Sequence, residues 1–138
     1  MAETDCSCTG SNLDRFVRPC VMAVLAGHPG GLHGYVVAQH LQDIAIFRDN
    51  PPDMTGLYRV LKALESEGYL SSTWDIEGSG PARHVYALTK AGRECLCQWA
   101  TTLRAYTTNL QETVTFIDQS VQPMEATINP CNRASCRC

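Results

Sequence analysis

Five apolar residues in the last third of the chain, Leu96, Trp99, Leu103, Tyr106 and Leu110, are spaced three, four, three and four apart. That is the seam of a helix that packs along one side against other helices. Val114, Ile117 and Val121 extend it after one slip. Thr89 stands in the N-cap position before it, its hydroxyl suited to an orphan backbone amide. A helix of this length covers its own domain with part of the strip and has apolar strip left over. The surplus is expected to meet a second copy of the chain. Trp99 can instead anchor the helix to its own domain. A ligand pocket between Trp99 and Tyr106 is the less favoured reading, after ordinary interface core.

Before that helix the pattern is short. Ser11 and Asp14 make a capping-box-like start. Leu13, Phe16, Val17, Cys20, Val21, Val24 and Leu25 then recur at helical spacing, with Pro19 marking either a kink or a second start. Gly27, Pro29, Gly30 and Gly31 end this element. A second helix is expected from about His33 to Phe47, with Tyr35, Val36, Leu41 and Ile44 on its apolar side and His33 as its cap. Arg48 to Pro52 form a breaker. Asp53 caps a third helix with Leu57, Val60, Leu61 and Leu64 as its stripe, and Gly68 stops it. Two extended segments follow, Leu70–Glu77 and Ala82–Leu88, joined by the turn residues Gly78-Ser79-Gly80-Pro81.

Three short helices, a two-stranded hairpin and a long helix are the order of a winged helix-turn-helix. The expected fold is therefore mainly α with a small β-hairpin wing and a long C-terminal dimerisation helix. The third helix must then hold the core with one face and offer the other to a major groove. Tyr58, Arg59 and Lys62 lie opposite Leu57, Leu61 and Leu64. Thr55 sits in the first turn, where helix N-terminal groups meet phosphate or base edges. Arg83 and His84 flank the glycine-containing hairpin tip, where backbone can approach a phosphate closely.

Three runs carry a family resemblance: His33-Gly34-Tyr35, the segment Gly56-Leu57-Tyr58-Arg59-Val60-Leu61-Lys62-Ala63-Leu64-Glu65-Ser66-Glu67-Gly68-Tyr69-Leu70, and Gly80-Pro81-Ala82-Arg83-His84-Val85-Tyr86-Ala87-Leu88-Thr89-Lys90-Ala91-Gly92. Together the sequence resembles the PadR family of transcriptional regulators over about Leu13 to Tyr106. The resemblance implies a dimeric, usually repressing protein that grips operator DNA with its third helix and wing and pairs through one C-terminal helix. Carried onto these positions, the contacts fall on Tyr35, Thr55, Tyr58, Arg59, Lys62, Arg83 and His84. The dimer seam falls on Leu96, Trp99, Leu103, Tyr106, Leu110, Val114 and Ile117. The run Pro52-Asp53-Met54-Thr55 departs from the Ser-Pro-Gly-Thr type of run more usual in that family.

The formal net charge is −3, and Glu65, Glu67, Asp75 and Glu77 narrow any basic footprint. Binding is expected to depend on shape and a few contacts. Two third helices of a dimer would stand about 34 Å apart on a near-palindromic operator. No run approaches the roughly 18 apolar residues of a membrane span. The first ten residues lack the basic and apolar parts of a secretion signal. A cytoplasmic location is expected, with no membrane partner.

Eight cysteines are the compositional anomaly. In a reducing compartment they argue for metal or redox chemistry or for plain burial. Cys20, within an apolar stripe, reads as a buried structural thiol. Cys95 and Cys97 are two apart on a helix and point to different faces. Cys6, Cys8, Cys131, Cys136 and Cys138 lie in expected flexible tails, where thiolates can close on a soft metal ion, a metalloid or an Fe–S cluster. C-x4-C-x-C matches none of the defined zinc or ferredoxin spacings and selects no one ion. The four histidines form no ligand motif. The organisation is then a tail over 1–10, a DNA-binding domain over 11–88, a dimerisation helix over 89–121 and a second tail over 122–138. The effector is expected at the cysteines, or as a small apolar molecule at the dimer interface with the cysteines incidental. A winged-helix protein-interaction module is the rival class. An enzyme is not expected, because no motif places an acid or a histidine to activate a cysteine.

Overall fold

The computed structural model describes residues 14–78 and 80–122. It divides into two units, one over Asn12–Gln98 and one made, among the described residues, of the chain from Trp99 onward. In the first, α1 (Val17–Ala26), α2 (Gly34–Gln42) and α3 (Met54–Ser66) pack around an antiparallel sheet of β1 (Leu32–His33), β2 (Leu70–Asp75) and β3 (Arg83–Leu88). The strand order is β1-β3-β2. α4 (Lys90–Val121) starts in this unit, and its residues from Trp99 on form the second. The result is a mainly helical winged helix with a long C-terminal helix.

α1 follows a 3-10 turn over Asp14–Phe16. Pro19 lies in its first turn, where the missing N–H would have had no intrahelical partner. The structure therefore realises the second-start reading, two residues upstream of the proline. Val17, Pro19, Val21, Met22 and Leu25 are buried. Ser11 of the expected capping box lies outside the described residues.

α2 is shorter than expected. It ends at Gln42 with Asp43 as its C-cap. Ile44 is extended (ψ 129°), and a 3-10 turn over Ala45–Phe47 follows. The apolar spacing of Leu41, Ile44 and Phe47 suits a continuous helix. The extended residue instead redirects the chain and leaves Phe47 buried in the core.

α3 behaves as its sequence reads. The Asp53 carboxylate accepts the Gly56 amide at its start. Leu57, Leu61 and Leu64 are fully buried, each worth about 1.5–3 kcal/mol of transfer free energy. Gly68 (φ +85°) takes the left-handed position after the helix. Its amide donates to Glu65 O (3.0 Å) and that of Tyr69 to Leu64 O (2.9 Å), which is a Schellman closure.

The expected hairpin is a three-stranded sheet. β1 pairs with β3 through Leu32↔Tyr86 and His33↔Val85. Two residues are too few for a period-2 signal, so this strand was not visible in the sequence. Gly31 (φ +85°) feeds it; a Cβ there would lie 2.6 Å from Val85 Cγ1. β2 and β3 pair from Leu70↔Leu88 to Asp75↔Arg83.

Thr89 caps α4: its hydroxyl accepts the Gly92 amide (3.0 Å) and donates to Gly68 O (2.7 Å). The end of α3 and the start of α4 are joined through that one side chain. Gly92 passes so close to Tyr69, the residue before β2, that a Cβ would meet the Tyr69 carbonyl oxygen.

Candidate nucleic-acid interface

The face of α3 turned away from its buried leucines carries Thr55, Tyr58, Arg59 and Lys62, all exposed. The same helix thus anchors and presents, as a recognition helix must. Thr55 lies in its first turn, after the Asp53 cap.

Tyr58 is positioned by a neighbour. It leans on the first residue of α2: a Cβ built on Gly34 would lie 2.6 Å from Tyr58 Cε1 and 3.1 Å from its hydroxyl. At Gly34 the two helices come together closely enough that any side chain there would displace the Tyr58 ring. Tyr35, next to it, is exposed, and the Arg83 guanidinium lies 5.9 Å from its ring centroid. That is cation–π distance.

The wing closes the other side. Trp74 and His84 are cross-strand partners. Their rings meet edge-on with centroids 3.9 Å apart, and His84 in turn lies 5.7 Å from Tyr86. The Tyr86 hydroxyl sits 3.4 Å from His84 Nδ1. His33 is the N-cap residue of α2 by position but makes no side-chain cap. Its Nε2–H donates instead to Asp75 Oδ2 (3.1 Å), tying the end of β2 to β1 across β3. The expected capping role of His33 is corrected to this tie: the side chain reaches across the sheet, away from the helix amides.

Tyr35, Tyr58, Trp74, Arg83, His84 and Tyr86, with His33, Gly34 and Ala82, line one open groove of about 440 Å³. Four expected contact residues, Tyr35, Tyr58, Arg83 and His84, therefore share one surface. Lys62 borders an adjoining hollow with Tyr58, Glu65, Ser66, His84 and Tyr86. Glu65 accepts the Ser72 hydroxyl there (2.9 Å). Burial first, then the Glu65 charge and Tyr58, push the Tyr86 phenol above its ordinary value.

Trp74 was not singled out from the sequence. Strand alternation gives its signal: Leu70, Ser72 and Trp74 share a face of β2, and the register continues that face past the core, where Trp74 is 63% exposed.

On α4, Leu96, Trp99 and Leu103 are half-buried, and Tyr106, Leu110, Val114 and Ile117 are exposed. Phe116, off the seam, is 69% exposed. Cys20 is half-buried rather than sealed in the core, because it lies at the edge of the α1 stripe; its burial raises its thiol pKa. Cys95 is half-buried and Cys97 exposed. Among the described residues no three histidine, cysteine or acidic side chains gather as a metal site. The five tail cysteines, Cys6, Cys8, Cys131, Cys136 and Cys138, lie outside the described residues. No helix of the described residues is long and apolar enough to cross a membrane.

The profile of the PadR-like family of transcriptional regulators matches residues 21–98, more than half of the chain. The chain belongs to the PadR-like family. The matched region runs from α1 to the first turns of α4 and contains every residue of the groove. A PadR family transcriptional regulator from Eggerthella lenta DSM 2243 is 26% identical with a TM-score of 0.60, over 74% of this chain and 85% of that one. A PadR family regulator from Clostridium difficile R20291 (20% identical, TM-score 0.61, 72% and 98% covered) shares the fold. So does a PadR-like regulator from Bacillus cereus (19%, 0.61, 74% and 94%). No curated protein matches the sequence significantly. As a PadR-like protein the chain is a DNA-binding transcriptional regulator and not an enzyme.

Proposed function

We propose that this PadR-like regulator is a homodimeric repressor that holds operator DNA with α3 and the wing and is released by an effector. The observation that carries the reading is the division of α3. Leu57, Leu61 and Leu64 are sealed in the core while Arg59 and Lys62 stand in solvent beside the wing that carries Arg83. Thr55, Tyr58, Arg59 and Lys62 enter the major groove, and Tyr35, Arg83 and His84 meet the flanking backbone. The apolar, exposed Leu110, Val114 and Ile117 on α4 support pairing with a second copy. An effector acts by changing the angle between the two winged domains, and so the spacing of the two α3 helices.

Titration onto DNA from the region upstream of its own gene, at two salt concentrations, tests this. Each phosphate contact contributes about 0.9 to the slope of log affinity against log salt. Arg59→Ala and Lys62→Ala should each weaken binding, and lower that slope by about one wherever the lost partner is a phosphate. No DNA binding by the wild type, with function left intact in both variants, would instead support a protein-interaction role.

For the effector we favour a soft metal ion, metalloid, Fe–S cluster or oxidant at Cys6, Cys8, Cys131, Cys136 and Cys138, because thiolates in C-x-C pairs select such species. A small apolar molecule between two α4 helices is the alternative. Metal analysis of anaerobically purified protein, with and without Cys131→Ser, Cys136→Ser and Cys138→Ser, separates the two. Metal-free protein whose DNA binding ignores thiol reagents would leave the apolar effector.

A further inference from the structure

The groove between the wing and the starts of α2 and α3 has a composition that the contact residues named so far do not explain. Its walls are aromatic: Tyr35, Tyr58, Trp74 and Tyr86. Its charged rim is Arg83, held over the Tyr35 ring. Among the described residues no carboxylate lines it. Asp75, next to Trp74, has one carboxylate oxygen on His33 Nε2 and the other on the Glu77 amide. A surface with apolar walls and a cation whose cross-strand partner, Asp75, is bonded elsewhere suits a ligand that is apolar along its body and anionic at its edge. The sugar–phosphate strand of a duplex has that alternation, and α3 with Arg59 and Lys62 already lies alongside.

Trp74 is the residue whose position most needs explaining. An indole of this size is normally buried, because exposing it forgoes several kcal/mol of transfer free energy on the order of a large core side chain. Here it is 63% exposed and yet oriented by the edge contact with His84.

We propose that Trp74 is a DNA-contacting residue of the wing: it lays its indole on the apolar face of a backbone deoxyribose while Arg83 takes the adjoining phosphate. This deepens the operator-binding reading and rests on it. The wing then has two kinds of grip. The Arg83 contact releases counterions and weakens with salt. The Trp74 contact buries apolar surface and does not.

The test uses the full-length protein and DNA from upstream of its own gene, with Trp74→Ala, Trp74→Phe and Arg83→Ala compared at several salt concentrations. Thermal midpoints check folding; with Trp74 largely exposed they should match the wild type. Trp74→Ala should weaken binding about tenfold with the salt slope unchanged. Trp74→Phe, which keeps a ring, should recover most of the affinity. Arg83→Ala should lower the slope by about one. Intrinsic tryptophan fluorescence should change when wild-type protein binds DNA, and that change should be lost in Trp74→Phe. If wild-type protein binds no DNA, the operator-binding reading itself fails. If wild type binds and Trp74→Ala binds equally tightly, or loses salt slope as Arg83→Ala does, the Trp74 contact is overturned while operator binding stands.

Discussion

The Tyr58 ring of α3 occupies the place where a side chain on Gly34 of α2 would begin, 2.6 Å from the nearest ring carbon. The contact sets where the exposed face of α3 points its phenol. Tyr58 is 45% exposed and its ring can swing, so crowding it has little effect on the core.

Gly34→Ala is therefore expected to separate function from stability. Alanine at the first helical position favours the helix by up to about 1 kcal/mol, which offsets the crowding, so the thermal midpoint should barely change. The displaced Tyr58 should weaken operator binding about fivefold, the size of one lost hydrogen bond, and Tyr58→Ala should match it. A large fall in the midpoint with DNA binding intact would contradict this.

Gly92→Ala is expected to do the reverse. The added methyl meets a backbone oxygen, Tyr69 O, and Leu88 Cδ1 at 2.6 Å. Neither the strand nor the capped start of α4 can move aside without loosening the Thr89 hydrogen bonds. Overpacking of this kind costs about 2–3 kcal/mol, a fall in Tm on the order of 10 °C for a domain of this size. Denaturant melts of the variant and the wild type measure it.

Leu110→Glu and Ile117→Glu test the α4 face. Both residues are exposed, 46% and 43%, so a charge there should leave the winged domain folded by circular dichroism. If the face is the dimer contact, sedimentation should show monomers, and operator affinity should fall by orders of magnitude as the second α3 is lost. Unaltered dimers would place the contact elsewhere.

Alkaline pH should destabilise the fold. Burial raises the Cys20 thiol, and burial with the Glu65 charge raises the Tyr86 phenol. Both groups are neutral when protonated, and the folded state favours that form. Their contribution is whole below the ordinary thiol range of about 8.5 and is lost as pH climbs through the raised values. Urea midpoints should be flat near pH 7 and fall as the pH rises past about 8.5. Cys20→Ala should remove the earlier part of the fall.

What the sequence alone determined is the set of elements that local chemistry dictates. Asp53, Gly68 and Thr89 bound their helices because capping needs only neighbours within a few residues. Leu57, Leu61 and Leu64 mark a buried face because helical period and core face coincide. Arg59 and Lys62 could be assigned to the opposite face for the same reason. The end of α2 was not legible, because Leu41, Ile44 and Phe47 keep helical spacing across a break that packing imposes on Ile44. Only the tertiary structure decided that Leu32 and His33 form a third strand, that His33 bonds Asp75 across the sheet, and that Trp74 shares a groove with Tyr35 and Tyr58. Those relations join residues up to 54 positions apart, and they depend on how elements meet, which periodicity along one element does not record.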